Sequence, residues 1–213
     1  NNLEVTNNST TVTSSRAGIL VYNNDPGVKN HIYVKNTYVH DVNSSESGNK
    51  ITGGIIFFGT HIDKDGVATV GRQSGFNDVL VENNTVKSVT KEGIRNKSDA
   101  GNGYPRINTN IVFRGNFVED VWGDGMVLGE VLSGAVAEYN IVKNHSKTTS
   151  GSYAGLWTHY TTQALVQYNE VYDGTNGGND GEAFDSDNSC DGDIFQYNYS
   201  HNNRGGLILV MPT

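Results

Sequence analysis

The sequence contains little cysteine, proline or charge. It has one cysteine, Cys190, and three prolines among 213 residues. A single cysteine excludes an internal disulfide framework and a cysteine-based zinc site. Charged residues make up 18% of the chain, below the roughly 25% that is typical of soluble domains. No stretch approaches the ~18 consecutive apolar residues of a membrane-spanning helix, so we predict no membrane span.

Basic residues are also in the minority, because the net charge is −8 and the pI is about 5.1. A nucleic-acid partner would need a basic face, and the sequence shows none, so we expect no nucleic acid. An acidic chain repels acidic polymers at long range, which disfavours a polyuronate substrate.

Asparagine and glycine are abundant instead: 27 Asn and 26 Gly together make up a quarter of the chain. Both are poor helix formers, so their excess does not suit a helical protein. Disorder is also disfavoured, since 35% of the residues are hydrophobic and recur in short runs.

Six segments of the chain align without gaps. They share an eight-residue pattern, in which the first three positions are mainly apolar and the fourth is polar. The fifth position is Asn, Gly or Tyr, the sixth is usually Asn, the seventh is variable and the eighth is usually Val. The segments are IYVKNTYV (32–39), VLVENNTV (79–86), IVFRGNFV (111–118), AVAEYNIV (135–142), ALVQYNEV (164–171) and DIFQYNYS (193–200). We predict that the Asn column stacks from coil to coil, because an amide both donates and accepts hydrogen bonds. The Tyr residues that precede it, at 139, 168 and 197, should form a second stack.

A second set of segments alternates with the first. Each contains a glycine or alanine before an apolar residue, and the column reads Gly18, Gly54, Gly93, Gly125, Gly155, Ala183 and Gly206. Two short strands in each unit of about 23–32 residues predict an all-β parallel solenoid of about seven coils. The alternative is a β-sandwich with Asn-rich turns, but a sandwich gives no reason for a single Asn column.

The repeat resembles the right-handed parallel β-helix proteins of the pectate-lyase-like superfamily, and within them it is most similar to the β-helix glycoside hydrolases. The resemblance runs from about Arg16 onward. It implies a fold more strongly than a function, because this fold carries lyases, hydrolases, epimerases, tailspikes and adhesins. We interpret 1–213 as one β-helix domain, part of a longer protein, and the resemblance implies a secreted or cell-surface location of bacterial type.

Alternation assigns directions to the side chains of the second strand. The residue after the glycine should point inward, which gives Ile19, Ile55, Ile94, Met126, Leu156, Phe184 and Leu207. The residues two and four after it should point to solvent, which gives Arg95 with Lys97, Val127 with Gly129, Trp157 with His159, Asp185 with Asp187, and Ile208 with Val210. Immediately before the glycine column stand Glu92, Asp124, Ala154, Glu182 and Gly205.

This outer face is the predicted site of a glycoside hydrolase. Asp185 and Asp187 should be about 6–7 Å apart along one strand, and glycosidases use two carboxyl groups about 5–9.5 Å apart. We predict that this pair is catalytic and that Glu182 assists it. The predicted substrate-binding residues are Trp157, His159, Tyr160, Arg95, Lys97 and Asp124. His61, with Asp63 and Asp65, is a candidate rim element.

Two other functions stay open on the sequence alone. A calcium-dependent polysaccharide lyase would use Asp185, Asp187 and Glu182 as ligands, with Arg95, Lys97 or Arg204 as base. A non-catalytic glycan-binding adhesin or tailspike segment would bind without turnover. We favour a hydrolase without a cofactor, with calcium as a candidate ion. The polygalacturonase pattern is only partly met, because the RxK at 95–97 precedes the acids and no adjacent DD exists.

A stripe of apolar residues should run along the outside of the first strand. It consists of Tyr33, Leu80, Val112, Val136, Leu165 and Ile194. A continuous apolar stripe is unusual for a solvated face, so we predict that a further domain or a second subunit packs on it. The expected ligand is an oligosaccharide or polysaccharide.

Overall fold

The computed structural model describes residues 2–12, 15–45, 51–60, 73–97, 105–148, 151–175 and 180–211. Within these ranges the chain forms strands and turns, with no helix. Three parallel sheets run the length of the molecule, and each turn of the chain passes once through each of them. This is the predicted right-handed parallel β-helix, with up to seven strands in a sheet. The prediction of two strands in each coil is wrong: a coil has three, because the asparagine corner divides the first segment into strands of two different sheets.

Sheet A contains β1 (Glu4–Asn7), β4 (Tyr38–Val42), β7 (Thr85–Val89), β10 (Phe117–Val121), β13 (Ile141–Lys143), β16 (Glu170–Tyr172) and β19 (Tyr199–His201). Sheet B contains β2 (Ala17–Asn23), β5 (Gly53–Gly59), β8 (Glu92–Asn96), β11 (Met126–Gly129), β14 (Leu156–His159), β17 (Phe184–Ser186) and β20 (Ile208–Val210). Sheet C contains β3 (Gly27–Lys35), β6 (Ser74–Glu82), β9 (Asn108–Arg114), β12 (Val131–Glu138), β15 (Leu165–Gln167) and β18 (Ile194–Gln196).

The predicted asparagine ladder lies at the corner between sheets C and A. Each Nδ2 donates to the Oδ1 of the next asparagine, at 2.9–3.0 Å, through Asn84, Asn116, Asn140, Asn169 and Asn198. The same Nδ2 also donates to a main-chain carbonyl of the preceding coil, as Asn140 does to Phe113. Each Oδ1 accepts a main-chain N–H as well. The first four asparagines are buried, so the ladder satisfies backbone groups that water cannot reach.

The residue with a left-handed backbone at this corner is the one that precedes the ladder asparagine. Tyr139, Tyr168 and Tyr197 have φ of 57°, 54° and 53°, which frees the following asparagine to point inward. Their rings stack as predicted, with centroids 5.1 and 5.2 Å apart. The stacked tyrosine rings therefore lie on the outside of the corner, and the hydrogen-bonded asparagine side chains lie on the inside.

The glycine column exists because the interior is too narrow for a Cβ there. A Cβ added at Gly125 would overlap Val142 of sheet A and the main-chain oxygen of Gly155. Gly18, Gly54, Gly93 and Gly155 face a valine in the same way, whereas Gly206 does not. In the sixth coil Ala183 replaces glycine, and Ser200 replaces the valine that stands at 171 in the coil before. The two columns thus interlock to give a close-packed core.

The last coil departs from the predicted register by one residue. Phe184 pairs with Ile208 and Asp185 with Leu209, so Leu207 occupies the glycine column and is exposed. The prediction that Leu207 points inward is therefore wrong, because two consecutive glycines, 205 and 206, offer two alignments of the repeat. The outward positions beside Asp185 and Asp187 are Leu209 and Met211.

The apolar stripe on sheet C points outward, as its alternation predicts. Its end members, Tyr33 and Ile194, are 52% and 50% exposed, and the four between them are half-buried. Neighbouring coils therefore cover part of the stripe themselves.

Candidate functional site

The outer face of sheet B is more enclosed than alternation predicts. Ile56, Phe58, Arg95 and Val127 point away from the interior, yet all four are buried. The prediction that these positions point to solvent is therefore wrong for Arg95, Val127 and Asp185, which are all buried. Alternation identifies which side of a sheet a residue is on, but not what covers that side.

A cleft of about 210 Å³ opens on this face over the last four coils. Its lining residues are Asp124, Ser152, Tyr153, Ala154, Trp157, Asp180, Asp185, Asp187, Leu209 and Met211. Strand β14 supplies Trp157, and β17 supplies Asp185 directly beside it in the register. Ala154 is the small residue in the column of Asp124 and Glu182, and its short side chain leaves the space that the cleft occupies.

Asp185 has the most unusual environment of the cleft carboxyl groups. It is 8% exposed, and among the described residues its Oδ1 has no hydrogen-bond partner. Burial raises the pKa of Asp185 to about 8, and the negative charges of Asp187, Glu182 and Asp180 add to the effect. Asp185 is therefore a neutral carboxylic acid at pH 7, aimed into a cleft.

Glu182 lies beside the cleft and does not line it. It is buried, and burial raises its pKa to about 7, with a further contribution from Asp180. Its Oε1 has no hydrogen-bond partner among the described residues. Glu182 thus acts on the cleft electrostatically, by disfavouring ionisation of Asp185.

Asp187 and Asp180 complete the acidic wall. Asp187 is half-buried, and its Oδ1 accepts hydrogen bonds from the main-chain and side-chain N–H groups of Asn188, both at 2.6 Å. These bonds fix the direction of the carboxylate. Asp180 lies in the same wall of the cleft.

A second buried ionic cluster lies at the other end of the cleft. Arg95 Nη1 donates to Glu92 Oε1 at 2.5 Å, and both side chains are at most 5% exposed. Burial, together with the charge of Glu92, raises the pKa of Asp124 well above its usual range. Asp124 Oδ1 accepts the Ala154 N–H at 2.9 Å. Asp124 thus lines the cleft as a buried carboxyl group whose ionisation is disfavoured, while Arg95 is paired with Glu92.

The remaining predicted residues surround Trp157. The Lys97 ammonium lies 4.7 Å from the centre of the indole ring, and its side chain crosses the open position of Gly129. The His159 ring meets Trp157 edge-on at 6.1 Å. The Arg106 guanidinium lies over the Tyr160 ring, 4.1 Å from the ring centre. Of these, only Trp157 lines the cleft.

The indole nitrogen Nε1 of Trp157 has no hydrogen-bond partner within the described part of the chain. Asp185 Oδ1 likewise has no partner among the described residues, and both atoms are shielded from solvent. Buried polar groups are normally satisfied, so the wall of the cleft holds two polar atoms that the protein itself leaves without partners.

No group of three or more His, Cys, Asp or Glu side chains in the described ranges is arranged to hold a metal ion, so calcium remains only a prediction. His61, Asp63 and Asp65 lie outside the described residues. Sequence reasoning missed Tyr153, Leu209 and Met211; the last two would have followed from the correct register of β20.

The chain is similar to lacto-N-biosidases. It is 28% identical over 232 aligned positions to the lacto-N-biosidase of Bifidobacterium longum subsp. longum, covering 92% of this chain and 14% of that protein. Two crystal structures of the GH136 lacto-N-biosidase from Eubacterium ramulus superpose with TM-scores of 0.76 and 0.75 at 26% identity, covering 93% of this chain and 35% of theirs. No family model matches the sequence. The predicted resemblance to β-helix glycoside hydrolases is confirmed.

Proposed function

We propose that the protein is a glycoside hydrolase that cleaves an oligosaccharide in the cleft of Asp185 and Asp187. The observation that carries this proposal is a buried carboxylic acid, with a raised pKa, beside a second carboxyl group and an indole plate. The similarity to lacto-N-biosidases supports the same chemistry. The chain spans 14% of the curated relative and 35% of the solved chains, so the activity of the whole protein is part of the proposal.

In the proposed mechanism Asp185 is the general acid. Its carboxylic proton passes to the glycosidic oxygen as the bond to the anomeric carbon breaks, and the leaving sugar departs as a neutral alcohol. Asp187 is the facing carboxylate, which stabilises the positive charge that develops at the anomeric carbon. A water molecule then adds to the anomeric carbon and gives a proton to the Asp185 carboxylate, which restores the acid and completes the hydrolysis. Trp157 supplies a flat surface for a sugar ring, and burial, together with the charges of Asp187 and Glu182, keeps Asp185 protonated.

The relatives suggest the substrate and the setting. We propose a glycan that carries a terminal lacto-N-biose unit, hydrolysed without a cofactor by a secreted or cell-surface bacterial protein. No helix in the described part of the chain is long and apolar enough to cross a membrane. The lyase alternative is less well supported, because Arg95, one of its candidate bases, is buried in an ion pair with Glu92.

The direct test incubates the protein with lacto-N-tetraose, with and without EDTA, and follows the products by chromatography. We expect release of a disaccharide in both conditions, and loss of turnover in Asp185→Asn and Asp187→Asn. Asp191→Asn, an exposed acid outside the cleft lining, is the matched control and should keep the wild-type rate. An unsaturated, ultraviolet-absorbing product would replace the hydrolase by a lyase, and binding without turnover would indicate an adhesin.

The apolar stripe on sheet C leads to a proposal about assembly. We propose that a further domain or a second subunit packs against it near its exposed ends, Tyr33 and Ile194. A second subunit would be seen by static light scattering as self-association of this chain, which Leu80→Ser and Leu165→Ser should reduce. A monomer whose solubility and mass these substitutions leave unchanged would rule out the second subunit.

A further inference from the structure

A second cleft, of about 180 Å³, lies at the corner where sheet A turns into sheet B. Three of its side chains, Asp41, Ser88 and Asp120, come from consecutive coils and have left-handed backbones, with φ of 50°, 55° and 59°. A left-handed residue at a corner directs its side chain outward. The corner therefore presents a row of short polar groups along one wall of the cleft.

Trp122 is the unusual residue of this cleft. It follows Val121, which pairs with Val89, so it occupies the column of Thr90. Thr90 is a short polar residue that lies half-buried in the coil before, whereas the indole of Trp122 is 43% exposed. The exposed part of this large apolar ring is not stabilised by burial and is available to a ligand.

The charges around Trp122 are fixed in place. The Lys147 ammonium lies 3.3 Å from Asp120 Oδ1 and 5.6 Å from the centre of the indole ring. Asp120 also accepts a hydrogen bond from Asn144, and Asp41 Oδ2 bonds the ring of His40 at 2.7 Å. A carboxylate has about four acceptor sites, so both aspartates keep acceptor capacity toward the cleft.

We propose that this corner, which we call the Trp122 cleft, is a second carbohydrate site that binds one neutral pyranose ring. The apolar face of a sugar would stack on the indole, and its hydroxyl groups would donate to Asp41 and Asp120 and accept from Lys147. Two carboxylates against one ammonium leave the site net negative. Uronic and sialic acids are therefore repelled, and the ring must be uncharged.

The Trp122 cleft is separate from the catalytic cleft but close to it. Trp122 and Asp124, which line the two clefts, flank Gly123 in the chain, so their Cα atoms are at most about 7 Å apart. The bound ring is thus either a distant unit of the glycan in the catalytic cleft or part of another glycan. The chemistry of recognition is the same for both sources.

The presence of two tryptophans allows a sharp test. The protein is labelled with 5-fluorotryptophan, and the two fluorine resonances are assigned with Trp122→Phe and Trp157→Phe. Each signal then reports on one cleft, so failure of this proposal and failure of the proposed function are distinguishable. The labelled protein is titrated with galactose, N-acetylglucosamine and glucuronate at about 1–50 mM, the range suited to an expected millimolar Kd.

We expect galactose or N-acetylglucosamine to shift the Trp122 resonance in the Trp157→Phe variant, and glucuronate to leave it in place. Asp120→Gly should weaken this binding about tenfold, or ~1.4 kcal/mol. The control is Asp173→Gly, which removes an aspartate from the same left-handed column two coils further on, and it should have no effect. Glycine tolerates the left-handed backbone, so both variants are compatible with the fold.

An unmoved Trp122 resonance overturns the proposal, as does equal weakening by Asp120→Gly and Asp173→Gly, or equal binding of glucuronate. Asp41→Gly, with φ of 50° at that residue, provides a second variant if Asp120→Gly does not fold. With lacto-N-tetraose, simultaneous shifts of both resonances at one Kd indicate a single glycan across both clefts. Two distinct Kd values indicate separate glycans.

Discussion

The asparagine ladder makes the stability of the fold testable at one residue, Asn140. The substitution Asn140→Leu keeps nearly the same volume but removes every polar atom of the side chain. Four hydrogen bonds are lost: those to Phe113 O and Asn169 Oδ1, and those from the N–H and Nδ2 groups of Asn116. The side chain is fully buried, so water cannot replace them.

The expected cost follows from which groups lose their partner. Asn116 Nδ2 keeps its bond to Val81 O, and Asn169 Oδ1 keeps the N–H of residue 140. The Asn116 N–H and the Phe113 carbonyl each lose their side-chain partner. Leaving a buried polar group unsatisfied costs about 1–3 kcal/mol, so Asn140→Leu should lower the free energy of unfolding by about 2–6 kcal/mol.

Urea denaturation followed by circular dichroism measures this difference. Asn24→Leu, at an exposed turn position, is the control and should change stability by less than about 0.5 kcal/mol. Asn144 is unsuitable as a control, because it is half-buried and its side chain bonds Asp120. If Asn140→Leu unfolds at the same urea concentration as Asn24→Leu, the ladder does not contribute to stability in the way described.

Three further predictions concern the core and the cleft. Gly125→Ala should destabilise the protein by about 1–3 kcal/mol in urea melts, because its Cβ would overlap Val142; wild-type stability would refute the interlocked columns. Burial lowers the pKa of His145 from 6.5 to about 4. Between these two pH values the unfolded chain therefore binds a proton at His145 and the folded chain does not. The free energy of unfolding should therefore fall as the pH drops from about 6.5 to 4, and His145→Gln should flatten this dependence. Asp124→Asn should retain turnover and Asp124→Ala should lose it, because burial disfavours the charged form of Asp124 and its Oδ1 accepts the Ala154 N–H; equal loss in both would show that its charge matters.

The interior of the fold was predictable because it repeats. The same side-chain amide recurs in successive coils, and a hydrogen-bonded stack satisfies both its donor and its acceptor groups. These residues are Asn84, Asn116, Asn140, Asn169 and Asn198. The tyrosine stack and the inward valines follow from the same alignment. Where the repeat is ambiguous the prediction failed, as at Leu207, which two adjacent glycines displaced by one position.

The candidate site was only partly predictable, because covering segments do not repeat. Sequence reasoning located Trp157, Asp185 and Asp187 on one outer face, and the structure brings them into one cleft. It did not predict that Arg95 is buried against Glu92, since alternation along a strand contains no information about what lies over a sheet. Nor did it identify Asp180, which lies outside the strands.

The central claim is that Asp185, with a pKa of about 8, donates the proton to the leaving group. The most direct test compares the wild type and Asp185→Asn across pH on two substrates: lacto-N-tetraose, whose sugar leaving group needs a proton, and a p-nitrophenyl lacto-N-bioside, whose leaving group does not. We predict that wild-type kcat/KM on the tetraose falls as the pH rises through about 8, and that Asp185→Asn loses far more activity on the tetraose than on the nitrophenyl glycoside. An equal loss on both substrates, or a wild-type rate that stays constant through pH 8, would contradict the assignment of Asp185 as the general acid.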